Sequence, residues 1–223
     1  NFISMASHEF RTPLTTILAS TELIGLHIKK GNYEKLNTHI KRVQEAVGFM
    51  NSLLEEVLIL SRTDRGIISF NPTNNNLRAL LTDLIEQCKV SASKDHKIVF
   101  NYFPERTNYL LDARLLTLIF NNLLTNAIKY SPNGGLIHFD VYYEDETLLF
   151  RIIDSGMGIS QKDIPLIFEP FFRASTVENI QGSGLGLSIV KTAVDLHKGN
   201  IFVKSTLNSG TEFTVKIRTD SIT

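Results

Sequence analysis

Residues 1–28 read NFISMASHEFRTPLTTILASTELIGLHI. Within them Ile3, Ser7, Phe10, Leu14, Ile17, Thr21, Ile24 and Ile28 step alternately by four and three residues. A strict four–three alternation has a period of about 3.5 and marks a helix that seeks a partner along a heptad seam. The pattern recurs as Leu36, Ile40, Val43, Val47, Met50, Leu54, Val57 and Ser61. Lys29-Lys30-Gly31-Asn32 separates the two seams, and Gly31 or Asn32 can take the left-handed conformation that ends a helix. The short connection predicts an antiparallel helical hairpin. Two helices bury too little to stand alone, and Leu18, Leu53, Leu58 and Leu60 widen the apolar stripe. A second copy of the hairpin would complete a dimeric four-helix bundle; packing on the rest of its own chain is the alternative.

Beyond the hairpin the pattern changes. Arg65-Gly66 ends the second helix, Ile67-Ile68-Ser69-Phe70 reads as a short strand, and Pro72 to Asn76 reads as turn-rich. A domain boundary is expected here, giving domains 1–66 and 67–223. Downstream, helices are expected over Leu77 to about Ser93, from the N-cap Asp112 through Tyr130, and over 186–198. Strands are expected over Lys97–Tyr102, 136–143, 147–153, 200–205 and 211–218, with a Gly-punctuated stretch over 154–185. The fold class is α+β: a hairpin followed by an α/β sandwich with a mostly antiparallel sheet and helices on one face.

The chain has 223 residues, with Lys+Arg 23 balanced by Asp+Glu 23. A neutral balance argues against a coat for nucleic acid or an acidic membrane. The lone Cys88 cannot form an internal disulfide, which fits a reducing cytoplasmic setting. No apolar run approaches the ~20 residues that span a bilayer. The helical pattern is already running at Ile3, so we expect a fragment without its N-terminal sensor module, which could have carried a membrane anchor. His27, His39, His96, His138 and His197 have no metal-site spacing and read as structural or solvent-facing.

Four elements could carry chemistry. In Asp154-Ser155-Gly156-Met157-Gly158-Ile159, a strand ends in a carboxylate that can accept from an exocyclic amine, and glycines allow a flat ligand close; an Asx turn is the alternative. Gly182-Ser183-Gly184-Leu185-Gly186-Leu187-Ser188 opens a helix whose free N–H groups can bind anions. It lacks the Lys-Ser/Thr pair of a P-loop, and it does not follow a strand in a βαβ unit. Asn122, Asn126 and Lys129 share one helix face. A carboxamide oxygen there can ligate Mg²⁺ and Lys129 can meet phosphate, or the stripe is a solvated face. In Ser7-His8-Glu9-Phe10-Arg11-Thr12-Pro13-Leu14, His8 lies one residue off the seam and faces outward. Its imidazole can attack phosphorus while Glu9 holds the other ring nitrogen. A plain exposed histidine is the alternative, against which stands Pro13, costly inside a heptad and expected to kink or loosen the helix.

Taken together these motifs resemble the histidine kinases of two-component signalling, over nearly the whole chain. SHEFRTPL is similar to their H box, NLLTNAIKYS to the N box, DSGMGI and GSGLGLS to the two G boxes, and FEPFFR to the F box. The C-terminal part alone would match the wider gyrase-like ATPase superfamily. The resemblance implies a dimerisation and histidine-phosphotransfer hairpin followed by a Bergerat-type ATP-binding domain, using ATP and Mg²⁺. It implies a homodimer with a response-regulator receiver domain as partner and phosphate acceptor, and phosphatase activity toward it. At matching positions it implies His8 as phosphoacceptor, Glu9 as base and Thr12 in dephosphorylation. Asn126 would be the Mg²⁺ ligand, with Asn122, Lys129 and Tyr130 around phosphates and ribose. Asp154 would read adenine, supported by Thr211, with Gly156, Gly158 and Ile159 beside it. Gly182, Ser183, Gly184, Leu185, Gly186 and Leu187 would cradle phosphate. Phe168, Phe171, Phe172 and Arg173 would hinge an ATP lid over about 160–185. Leu196-His197-Lys198-Gly199 departs from the family's frequent His-Gly-Gly, in a turn where little effect is expected. A non-catalytic ATP-binding scaffold and a clamp-type ATPase are the rival readings.

Overall fold

A computed structural model of the chain describes residues 2–64, 69–92, 95–174, 180 and 182–219. It divides into two compact units, Asn1–Arg65 and Gly66–Thr223.

The first unit is a hairpin of α1 (Phe2–Lys29) and α2 (Leu36–Asp64). α1 ends with Gly31 in the left-handed region, Asn32 N–H bonded to His27 O and Gly31 N–H to Ile28 O. This is the paired bonding that satisfies the last carbonyls of a helix. The hairpin closes along a different line from the one the heptads suggested. Buried residues recur every seventh position, as Ala6, Pro13 and Ser20 on α1 and His39, Ala46, Leu53 and Leu60 on α2. Ala6, Ser20 and Ala46 on that line let the helices approach, and Leu53 and Leu60 fill it further along α2. The seam residues Ile3, Leu14, Ile28, Ile40, Val47 and Leu54 remain exposed. α1 continues as one helix through Pro13, so the proline does not end it; its ring lies on the buried line, and what it removes is the donor for the carbonyl of Glu9.

The second unit holds β1 (Thr73–Asn76), α3 (Leu77–Ser91), β2 (His96–Tyr102), β3 (Asn108–Leu111), α4 (Ala113–Lys129), β4 (Gly135–Glu144), β5 (Thr147–Asp154), α5 (Gly186–Leu196), β6 (Asn200–Thr206) and β7 (Gly210–Arg218). Five strands form one sheet in the order β2-β4-β5-β7-β6, antiparallel except for the β2–β4 pair. β5 alternates strictly, with Leu148, Phe150 and Ile152 buried and Leu149, Arg151 and Ile153 partly exposed. That period of two is what one covered face requires. The buried stripe of α4 covers the face: Phe120 meets Phe139 and Phe150 with ring centroids 5.2 and 4.6 Å apart. Asp112 caps α4 by accepting from Arg114 and Leu115 N–H.

Two local expectations fail. Ser69 and Phe70 are not in a strand, and Ile67 and Ile68 lie outside the described residues. The stretch expected as a turn instead contains β1, paired antiparallel with β3, which no sequence signal had marked. Asparagine is poor in strands, so the segment reads as a turn by composition. Cross-strand pairing overrides that, helped by Asn75 Nδ2 donating to Leu111 O at 2.8 Å.

Candidate functional site

Each unit presents a group of polar side chains. On α1 the His8 side chain is 72% exposed, and its Nδ1 stands 3.5 Å from Glu9 Oε1. Thr12, one turn further, is also exposed. A proton held on Nδ1 toward Glu9 would leave the lone pair on the exposed Nε2.

In the second unit Asp154 is the last residue of β5 and is buried. Its Oδ1 accepts from Gly156 N–H at 2.9 Å and from Thr211 N–H at 3.2 Å. No described residue donates to Oδ2. Burial pushes the Asp154 carboxyl above its ordinary range, and the two N–H bonds oppose this. The loop after it is fixed on two sides. Met157 N–H donates to Tyr130 O at the end of α4, and Asn208 N–H in the β6–β7 turn donates to Met157 O. Ile159 N–H donates to the hydroxyl of Ser205 at 2.7 Å.

The second glycine loop meets the polar stripe of α4. A Cβ at Gly182 would collide with Lys129 Nζ, and one at Gly186 would come within 2.6 Å of Asn122 Oδ1. The polar ends of two α4 side chains therefore lie directly against the two glycines. Ser183 Oγ accepts from Leu185 N–H, while the α5 start has no side-chain cap and no acidic residue in its first turn. Its free N–H groups thus lack a built-in anion, the arrangement suited to phosphate. Lys129 Nζ lies 4.8 Å from the Tyr130 ring centre. Asn126 is half-buried, and its carboxamide makes no hydrogen bond among the described residues.

Between the loops, Phe171 N–H bonds to Gly184 O and Arg173 to Ile180 O, while Phe168 and Phe172 lie against the core. These contacts tie the base of the segment expected as a lid; residues 175–179 and 181 of that expectation lie outside the described residues.

Residues 1–66 match the His Kinase A (phospho-acceptor) domain. Residues 111–221 match the histidine kinase-, DNA gyrase B- and HSP90-like ATPases. The heme sensor protein HssS of Staphylococcus saprophyticus is 33% identical over 218 residues, 98% of this chain and 46% of that protein. The chain belongs to the sensor histidine kinases. The histidine kinase AdeS of Acinetobacter baumannii shares its fold, with a TM-score of 0.75 at 24% identity over 96% of this chain and 98% of that one. Full-length ShkA, solved with AMPPNP, gives 0.69 at 25% identity over 97% of this chain and 46% of that one. The chain therefore spans less than half the length of HssS and ShkA.

Among the described residues no cluster of three or more His, Cys, Asp or Glu could hold an ion. Mg²⁺ bound to nucleotide needs no such cluster, since it keeps several waters and takes one or two protein oxygens besides phosphate. The unbonded carboxamide of Asn126 fits that demand. Ser205, Gln161 and Asn208 of this kinase core were missed from sequence, although Gln161 Nε2 donates to Ser205 O at 2.7 Å. The readable signal was a serine at the inward register of β6, after Ile201 and Val203.

Proposed function

We propose that this kinase core transfers the γ-phosphoryl group of ATP to Nε2 of His8 and then to an aspartate of a response-regulator receiver domain. The observation that supports it most is the meeting of α4 with both glycine loops, which gathers Asn122, Lys129 and Tyr130 beside Gly156, Gly182 and Gly186. Asp154 Oδ2 accepts the adenine amine, supported by Thr211, with Gly158 and Ile159 lining the base. Lys129, Asn122 and the N–H groups of Gly186 and Leu187 at the start of α5 meet the phosphates, with Gly182, Ser183, Gly184 and Leu185 forming the cradle. Asn126 would hold Mg²⁺, which would neutralise charge on the transferring group. Phe168 and Arg173 hinge a lid over the nucleotide.

In the transfer, the Nε2–P bond forms as the bond from the γ-phosphorus to the bridging oxygen breaks, and ADP leaves with the electron pair. Glu9 holds the Nδ1 proton and stabilises the charge that develops on the imidazole. Positioning and charge neutralisation supply the rate. Residues 1–66 act as the dimerisation and phosphotransfer domain, and residues 67–223 bind ATP. The exposed Ile3, Leu14, Ile40, Val47 and Leu54 form the seam for a second copy. Thr12, exposed one turn from His8, serves in phosphatase activity toward the regulator. The core works in the cytoplasm; no helix among the described residues is long and apolar enough to cross a membrane.

Incubation with γ-³²P-ATP should give a label that is acid-labile and base-stable. His8→Gln should abolish it while leaving ADP binding intact. Acid-labile label that persists in His8→Gln would overturn the assignment.

A further inference from the structure

The inner face of the sheet breaks its apolar pattern in one row. Across β5, β7 and β6, successive levels of cross-strand partners read Phe150–Val215–Ile201 and then Ile152–Phe213–Val203. The next level reads Asp154–Thr211–Ser205, and all three residues are buried. Buried polar side chains persist where each is bonded. The bonds here determine which way the protons point.

Ser205 Oγ has three neighbours: Ile159 N–H at 2.7 Å, Gly210 O at 2.9 Å and Thr211 Oγ1 at 2.9 Å. A serine hydroxyl offers one proton and two acceptor positions. The amide can only donate and the carbonyl can only accept. Ser205 therefore gives its proton to Gly210 O, accepts from Ile159, and has one acceptor position left for the proton of Thr211. That saturates Ser205. It also leaves Thr211 Oγ1 with acceptor capacity alone, on the residue whose N–H fixes Asp154 Oδ1.

We propose that Ser205 is a positioning residue for nucleotide selection. By taking the Thr211 proton it makes Thr211 an acceptor beside the Asp154 carboxylate, so the base end of the site favours an exocyclic amine and rejects a carbonyl. The inference rests on the assignment of Asp154 and Thr211 to the base made above. Adenine presents an amine where guanine presents a carbonyl oxygen. Two fixed acceptors repel that oxygen. Without Ser205 Oγ the Thr211 hydroxyl is free to turn and donate to it, and Ile159 N–H loses its acceptor. Gln161 and Asn208 still tie the loop to β6 and the β6–β7 turn, so the fold has support beyond this hydroxyl.

The test is calorimetric titration of ADP and GDP into the whole chain, with autophosphorylation KM and kcat for ATP and thermal unfolding measured alongside. Ser205→Ala should weaken ADP about tenfold and GDP much less, so that the ADP:GDP preference falls by about that factor. KM for ATP should rise with it and kcat should stay within about twofold. Ser205→Thr keeps the hydroxyl and should restore the preference. If the alanine variant unfolds, Ser205→Cys keeps the volume with a weak donor and acceptor, and carries the same expectation. An unchanged ADP:GDP ratio in the alanine or cysteine variant, with both affinities intact or both lowered together, would overturn the proposal. A wild-type chain that fails to prefer ADP over GDP would overturn the base assignment itself, and the role of Ser205 with it.

Discussion

In the hairpin, Ile3, Leu14, Ile40, Val47 and Leu54 stay exposed while Ala6, Ser20 and Ala46 are buried. In the nucleotide unit the order is the usual one: Phe120, Phe139, Phe150, Leu115 and Ile119 are almost wholly enclosed. The nucleotide unit completes its core from its own chain. The hairpin buries Leu53 and Leu60 alongside small residues but leaves a second row of large apolar side chains in solvent. Hydrophobic burial scales with area removed from water, so the row at Ile3, Leu14, Ile40, Val47 and Leu54 adds no stability in a single copy.

That contrast can be broken most strongly at Phe120. Phe120→Ala should destabilise the nucleotide unit by about 3–5 kcal/mol, the cost of an emptied aromatic site. Denaturant unfolding followed by ADP binding would show it, and an effect below about 1 kcal/mol would mean the core is looser than its burial implies. On the hairpin, Val47→Glu with Leu54→Glu should leave the fold of the nucleotide unit unchanged. It should weaken self-association by about a hundredfold or more, since two large apolar side chains lose their partner surface. Sedimentation would read this, and an unaltered dimer would show that the seam lies elsewhere. Asp154→Asn keeps an acceptor for Gly156 and Thr211 but can turn an amide toward the adenine amine. ADP affinity should fall roughly tenfold or more, with label on His8 still possible at high ATP.

A finer contrast lies in how the two units end a helix. α1 places Gly31 in the left-handed position, with φ +66°. α5 places Lys198 there, with φ 52°, and closes in the same way, with Gly199 N–H bonded to Val194 O and Lys198 N–H to Asp195 O. A side chain in that conformation costs about 1–2 kcal/mol relative to glycine. Lys198→Gly should therefore raise the melting temperature of the nucleotide unit by a few degrees, by about 1 kcal/mol. A fall would mean that the lysine side chain contributes more than its backbone strain costs.

What could be read from sequence follows from where the information lies. α4 was legible because its signals are local: an Asp112 cap and a seven-residue buried stripe at helical spacing. The Asp154 and Gly182 loops were legible because close approach leaves few residue types to choose from. β1 was illegible because Thr73-Asn74-Asn75-Asn76 owes its strand to β3, some 35 residues away. In the hairpin, the line that closes the single chain and the line that stays exposed both repeat every seven residues. Periodicity shows that seams exist, and only the packing shows which seam is internal. Ser205 was missed for the same reason as β1, since its role depends on Thr211 and Asp154 across two strands.

The smallest expected effect tests the hairpin at its loop end. His27 and His39 stack there with ring centroids 5.4 Å apart, and His39 is buried with Nδ1 lacking a partner among the described residues. Its pKa is lowered, first by burial and then by the charges of His27, Arg42 and Lys35. A histidine whose folded pKa lies below its unfolded value of 6.5 binds its proton more weakly when folded. The stability linked to it is complete above about pH 6.5 and is lost as pH falls through that value toward the lower, folded one. The nucleotide unit has its own lowered histidine, His197, so a pH effect on the whole chain does not identify its source. His39→Phe keeps a stacking ring without the proton. Helical melting between pH 7.5 and 5.5 should show the hairpin weakening on acidification in the wild type and less so in His39→Phe. Equal losses in both would place the titration outside the stacked pair and return His39 to a purely packing role.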